Sequence, residues 1–241
     1  MTDYGQFCPV AKATELLGER WTILILRELF LGTHRYSEFQ RALSRISPSL
    51  LTKRLKQLEA AGILVRKVQQ GRKGHDYFLT PVGKELAPIV EHLATWGMRW
   101  ARGQLDDNEL DVEFLMWDIQ RRLQVDKLAD GETILCFIFD GLTNFNSWWL
   151  VISDGEVDLC TENPCKNVDL YIKTKLRCFV DICNGDADIM TALNKERIKT
   201  QGDAQLARTM PDWLGICLYA DVRPGDPALK KIAVEDLKAK L

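Results

Sequence analysis

The chain has 241 residues, 46% of them hydrophobic and 27% charged, with a formal net charge of −2. That length allows one large or two ordinary domains with real cores, and the composition excludes a disordered or low-complexity chain. The seven cysteines are odd in number and irregular in spacing, which excludes a disulfide framework and fits reduced thiols.

The small net charge hides an asymmetry. Residues 1–104 hold 16 Lys and Arg against 9 Asp and Glu, a net of +7, whereas residues 105–241 hold 16 against 25, a net of −9. Such a division points to a basic half that meets a polyanion and an acidic half held away from it. The opening MTDYGQF lacks the positive-then-apolar pattern of a secretory leader. The most apolar run, Trp21 to Leu31, is interrupted by Arg27 and Glu28, so membrane insertion is not expected and a cytoplasmic location is.

In chain order, Cys8-Pro9-Val10 opens a helix that runs to about Leu17 and breaks at Gly18. Cys8 stands at the cap, at the positive end of the helix dipole, a setting that activates thiols; a packed, inert cysteine is the plain alternative. A second helix, Trp21 to Leu31, is apolar on several sides and reads as core. Tyr36 to Leu43 forms a third, and Ser44 to Ile46 a turn. The best-bounded element is Ser47 to Gly62, SPSLLTKRLKQLEAAG. Ser47 suits the N-cap, Pro48 the first helical position, and Gly62 the left-handed residue after the end. Leu51, Leu55 and Leu58 recur at helical spacing and make the buried stripe.

The opposite face of that helix carries Ser49, Thr52, Lys53 and Lys56, short hydroxyls and long cations suited to base edges and phosphates. Many surface helices look alike in this respect. Here two short strands follow, Ile63 to Val68 and Asp76 to Leu79, joined by Gln-Gln-Gly-Arg-Lys-Gly-His with Arg72 and Lys73 at its tip. Helix, turn, basic helix and basic hairpin together make a mostly α winged helix-turn-helix. Its helix enters the major groove of double-stranded DNA and its tip reaches phosphate or minor groove. The expected DNA-contacting residues are Arg35, Ser47, Ser49, Thr52, Lys53, Lys56, Arg72 and Lys73. Thr80-Pro81 then starts a long helix to about Arg102. Its Leu86, Ile89, Leu93, Trp96 and Trp100 step by three and four, either to pack on their own domain or to form a homodimer seam, and two tryptophans on one stripe favour the dimer. A dimer would space two recognition helices by one DNA turn, about 34 Å.

Cys8-Pro-Val, Leu17-Gly-Glu-Arg-Trp21, Arg35-Tyr-Ser-Glu-Phe39, Ile46-Ser-Pro, Leu51-Thr-Lys-Arg-Leu-Lys-Gln-Leu-Glu59, Gly62-Ile-Leu and Tyr77-Phe-Leu-Thr80 together resemble the HxlR family of bacterial transcription regulators. The resemblance covers residues 7 to about 103. It implies a winged-helix homodimer on a pseudo-palindromic operator. Members with a cysteine at the place of Cys8 include sensors of oxidants and electrophiles. The family's usual Val-Glu before the second wing strand reads His75-Asp76 here.

Leu105 to Val112 is short and acidic, which divides the chain into a DNA-binding and dimerisation domain (1–104), an acidic linker and helix (105–124), and a second domain (125–241). After a helix from about Glu113 to Leu123 the pattern changes to strands: Thr133 to Phe139, Trp148 to Ile152, a turn at Asp154-Gly155 into Glu156 to Cys160, and Val168 to Thr174. Leu176 to Asn184 and Asp188 to Asn194 read as helices, Arg197 to Thr200 as a last strand, and Asp203 onward as a final helix. The order predicts an α+β domain with helices on one face of a sheet.

Ser153-Asp-Gly-Glu-Val157, Val168-Asp-Leu-Tyr-Ile172, Asn184-Gly-Asp186, Ala192-Leu193 and Ile198-Lys-Thr-Gln-Gly-Asp203 resemble the sterol carrier protein fold over about 125 to 220. That resemblance implies an apolar tunnel for lipids or fatty-acyl groups. Phe137, Phe139, Trp149, Phe179, Ile182, Met190, Leu193 and Trp213 are the expected ligand-binding residues, with a filled core as the alternative. Enzymatic chemistry is not expected. The three histidines end at His92, and the chain shows no Ser-His-Asp order, glycine-rich phosphate loop or metal-spaced Cys/His cluster. Cys160-x4-Cys165 and Cys178-x4-Cys183 have the wrong spacing for zinc, so neither metal nor cofactor is expected. Three readings result: a regulator modulated by an apolar small molecule; a regulator whose second domain is structural and whose sensor is Cys8; or a lipid carrier with a helical interaction module.

Overall fold

The computed structural model describes residues 3–68, 74–101, 106–142 and 145–226. The chain divides into two compact units, Met1–Leu93 and Ala94–Leu241.

The first unit contains α1 (Pro9–Leu17), α2 (Thr22–Phe30), α3 (Tyr36–Ala42), α4 (Pro48–Ala60), the hairpin β1 (Leu64–Val68) and β2 (His75–Leu79), and the short α5 (Pro81–Lys84). Its core is built where apolar residues recur every three or four positions: Ile25, Leu26 and Leu29 from α2, Phe39 from α3, and Leu51, Leu55 and Leu58 from α4. Glu28 is fully buried among them. Its carboxylate accepts from Arg27 Nη2 at 2.7 Å and from the Thr33 hydroxyl at 3.1 Å, which makes its burial tolerable.

The expected single helix from Pro81 is two. α5 ends at Lys84 and α6 (Ala87–Trp100) restarts after a turn. Pro88 has no N–H to donate to the preceding turn, so the ladder breaks just ahead of it. By compactness the division between units falls within α6, between Leu93 and Ala94. The last turn of α6 belongs to the second unit: Gly225 N–H donates to the Arg99 carbonyl at 2.8 Å, and a Cβ on Gly225 would lie 2.5 Å from the Trp100 ring.

The second unit continues with α7 (Val112–Arg122), β3 (Thr133–Asp140), β4 (Ser147–Ser153), β5 (Glu156–Cys160), β6 (Leu170–Lys175), α8 (Leu176–Cys183), α9 (Ile189–Asn194), β7 (Ile198–Gly202), α10 (Ala204–Arg208) and α11 (Met210–Trp213). The last two replace one expected helix, because Pro211 cannot continue the ladder from α10. The sheet order is β5-β4-β3-β6-β7. β3 and β6 run parallel and the other pairs antiparallel. Asp154 and Gly155, with φ of 52° and 79°, make the tight β4–β5 turn.

Strand register decides the faces. Leu135 stands opposite Leu150 and Leu170, and Phe137 opposite Trp148 and Ile172. That face is buried with Met116 and Ile119 of α7, Phe179 of α8, and Met210 and Trp213 of α11, so the helices pack on one side of the sheet, as the sequence order implied. At the edge strand β5, the Gln120 side-chain amide of α7 donates to the Val157 carbonyl at 2.6 Å.

Candidate nucleic-acid interface

α4 is shaped for exposure along one side. Ser47 Oγ accepts the Leu50 N–H at 3.3 Å and caps its N-terminus; Gly62, with φ of 71°, terminates the chain direction beyond it. The leucine stripe turns inward, which leaves Ser47, Ser49, Thr52, Lys53 and Lys56 exposed. Ser49, Thr52, Lys53, Lys56, Gln57 and Ala60 line an open trough of about 450 Å³ along that side.

Two residues not singled out by the sequence hold α4 in place. Arg54 lies in the phase of the leucines and is buried. Its Nη2 pairs with Glu19 at 2.5 Å, its Nε donates to the Arg20 carbonyl at 3.0 Å, and its Nη1 donates to Gln57 Oε1 at 2.7 Å. The guanidinium thus ties α4 to the α1–α2 junction, next to Trp21, whose φ of 79° is unusual for a residue with a side chain. A cation within a leucine stripe was the available signal. Tyr36 is the other. Its hydroxyl donates to the Pro48 carbonyl at 2.8 Å and lies 3.1 Å from the Thr52 hydroxyl, itself 2.9 Å from that carbonyl. Thr52 therefore serves the α3–α4 elbow as well as the exposed face.

The wing is anchored to the same elbow. Arg35, exposed at the N-cap of α3, forms a β-bridge with Asp76, and Tyr77 N–H donates to the His34 carbonyl at 2.9 Å. The His34 ring lies tilted against Phe78 with centroids 4.5 Å apart. Burial raises the Tyr77 hydroxyl above its ordinary pKa, so it stays protonated. Lys67 lies over the Phe78 ring at 5.3 Å. Arg72 and Lys73, expected at the wing tip, lie outside the described residues.

Cys8 is exposed, and its carbonyl accepts the Lys12 N–H in the first turn of α1. On α6, Ile89, Leu93 and Trp96 are 44%, 47% and 61% exposed along one stripe. The remaining two members of the expected seam differ. Leu86 lies in the turn before α6 and is half-buried, and Trp100 is half-buried against Gly225 of its own chain.

In the second unit Phe137, Phe139, Phe179, Ile182 and Trp213 meet in the core. The Phe179 ring packs edge-on to Phe137 at 5.5 Å and to Phe139 at 6.0 Å. Trp213 Nε1 donates to the Leu206 carbonyl at 3.0 Å, and Leu193 is half-buried against the cluster. Two of the expected ligand-binding residues lie away from this core. Trp149 pairs with Cys136 on the opposite face of the sheet, and its neighbour Trp148 is the buried one. Met190 is 40% exposed, because α9 turns Ala192 inward and the helical period then carries Met190 outward.

A helix-turn-helix whose second helix offers hydroxyls and cations, backed by a two-stranded wing, defines the winged-helix class of DNA-binding folds; the second unit is an α+β domain closed by helices on one sheet face. Residues 16–104 match the HxlR-like helix-turn-helix family and residues 95–214 the SCP-2 sterol transfer family. The chain belongs to the HxlR-like helix-turn-helix family and carries an SCP-2-type domain after it. It is 38% identical over 98 residues to the HTH-type transcriptional regulator YvaP of Bacillus subtilis, a match spanning 40% of this chain and 91% of that protein. It is 33% identical over 110 residues to an HTH-type transcriptional regulator of Methanothermobacter thermautotrophicus, over 45% of this chain and 84% of the relative. Among solved structures it is similar to the redox regulator HypR in its reduced form, with 33% identity, 37% of this chain and 90% of that one covered, and a TM-score of 0.36. No helix among the described residues is long and apolar enough to cross a membrane.

Proposed function

We propose that this chain is a cytoplasmic transcription regulator without enzymatic activity, binding operator DNA as a homodimer, and that an apolar small molecule held by its second unit modulates that binding. The exposed face of α4 carries the proposal: Ser49, Thr52, Lys53 and Lys56 line one trough while Arg54 and Tyr36 fix the helix from behind. Hydroxyls on such a face suit base edges, and the two lysines suit phosphates on either side. The family relationship supports the same reading. For the ligand to modulate DNA binding it must favour one of two states of the dimer, since equal affinity for both shifts nothing.

The test is fluorescence anisotropy with duplexes from the chain's own promoter region, titrated at several salt concentrations. Affinity is expected to fall steeply with salt. Lys53→Ala should weaken binding about 10-fold and reduce the slope of log K against log salt by about 0.9, the value for one lost phosphate contact. Binding that ignores both salt and this substitution would refute the α4 assignment and leave the lipid-carrier reading.

The exposed Ile89, Leu93 and Trp96 stripe supports the dimer. Trp96→Glu places a charge on that stripe and is expected to shift the sedimenting species from dimer to monomer at micromolar concentration. A dimer unaffected by the charge would put the subunit contact elsewhere.

A further inference from the structure

After α11 the chain runs as a strap, residues 214–220, across the C-terminal ends of α7 and α8. Leu214 is buried. Gly215 admits no side chain, because a Cβ there would lie 2.1 Å from the Arg122 carbonyl oxygen at the end of α7. Further on, a Cβ on Gly185, just past α8, would lie 2.7 Å from the Ala220 Cβ. Between these two close approaches Cys217 N–H donates to the Cys183 carbonyl at 2.7 Å. The covalent bonds on either side of that contact keep the two Cα atoms within about 6.6 Å, below the upper limit of about 6.8 Å for a disulfide, and the Cys217 sulfur is near enough to act electrostatically on the Cys183 thiol. Cys178, five positions before Cys183 on α8, is not on the same helix face.

We propose that Cys183 and Cys217 form a reversible dithiol–disulfide pair, a peroxide-sensitive modification site that pins the strap to the end of α8.

The two sulfurs have different roles. Burial pushes the Cys183 thiol up to about 12, with Asp118 adding to the shift and Arg122 opposing it. Cys183 therefore stays a thiol at neutral pH. Cys217 is half-buried and is the sulfur an oxidant meets first. The Cys217 thiolate attacks one oxygen of a peroxide, the O–O bond breaks, and Cys217 becomes a sulfenic acid as the departing oxygen leaves as water or alcohol. The Cys183 sulfur then attacks the Cys217 sulfur. The S–S bond forms, the S–O bond breaks, and the hydroxide leaves with the Cys183 proton as water. Two electrons pass from the thiols to the peroxide, and a small-molecule dithiol reverses the change. α8 also carries Phe179 and Ile182, and the strap follows Trp213, so the bond would tie together two sides of the apolar core.

The experiment treats the full chain with hydrogen peroxide, blocks remaining thiols with iodoacetamide after unfolding, and maps the products without reduction. Trypsin with a protease that cleaves before Asp181 separates Cys178 from Cys183. The expected result is a linked peptide joining Cys183 to Cys217 and an intact mass lower by about 2 Da, both reversed by dithiothreitol. Cys217→Ser should abolish the link and Cys178→Ser should leave it. The proposal is overturned if both cysteines remain alkylated as in the untreated protein. It is also overturned if Cys217 is recovered joined to any other cysteine or as a higher oxide.

Discussion

Arg54→Ala is expected to lower the stability of the first unit by about 3 kcal/mol and to abolish tight DNA binding, although Arg54 lies on the side of α4 turned away from the exposed trough. The substitution removes a buried cation from a carboxylate and a carbonyl, and breaking a buried pair costs about 3–5 kcal/mol because the partner is left uncompensated. Glu19 is 26% exposed and recovers some hydration, which places the effect at the lower end. The Arg20 carbonyl also loses its donor, just where the chain passes through the left-handed Trp21. For a unit of this size the melting transition should drop by more than about 10 °C. Arg54→Lys keeps the charge but cannot reach three acceptors with one ammonium, so it should fall between. Lys53→Ala, one residue away but exposed, should weaken DNA binding without moving the transition. An Arg54→Ala protein that melts like the parent would show that the tie between α4 and the α1–α2 junction carries no stability.

Phe179→Ala is expected to be as severe for the second unit, about 3–5 kcal/mol. The ring is fully buried, and its edge-on contacts with Phe137 and Phe139 are lost together with its apolar area. The same substitution examines the ligand proposal. A medium-chain alcohol or fatty acid should raise the melting temperature of the parent protein by linkage. It should raise that of the variant by more, because the space left by the ring accepts further methylenes. Protection of the variant alone would mean that side chains fill the parent core. Full parent stability in Phe179→Ala would contradict the packed aromatic trio.

The elements with local punctuation were legible in the sequence. Ser47, Pro48 and Gly62 bound α4, and Asp154-Gly155 marks the β4–β5 turn, because capping and positive φ depend on residues at fixed offsets. The face of α4 offered to solvent followed from the leucine period alone. Other features depend on partners far along the chain. Trp148 to Ile152 is apolar at every position, so alternation could not say which tryptophan turns inward; pairing with β3 decides it. The parallel β3–β6 pair needs a long crossover that no turn signal announces. The role of Arg54 required knowing that the α1–α2 junction returns to α4, and the half-burial of Trp100 within its own chain required Gly225, 125 residues further on. Burial in the second unit was legible where strand or helix phase was unambiguous, as at Phe137 and Phe179, and was not at Trp149 and Met190, which lie off that core.

The Gln120 amide on the Val157 carbonyl has a consequence for how copies of this chain can meet. β5 ends the sheet, and an open strand end-row of carbonyls and amides is a template onto which any extended segment can add. Here α7 occupies one of those carbonyls, and Glu156 and Asp158 put negative charge along the same short strand. At the other margin β7 presents Lys199. Charge on the border strands β5 and β7 thus discourages edge-to-edge growth of the five-stranded sheet. For the proposed dimer this favours contact through helical surfaces, which saturate at a finite stoichiometry, over strand addition to this sheet, which propagates into fibres.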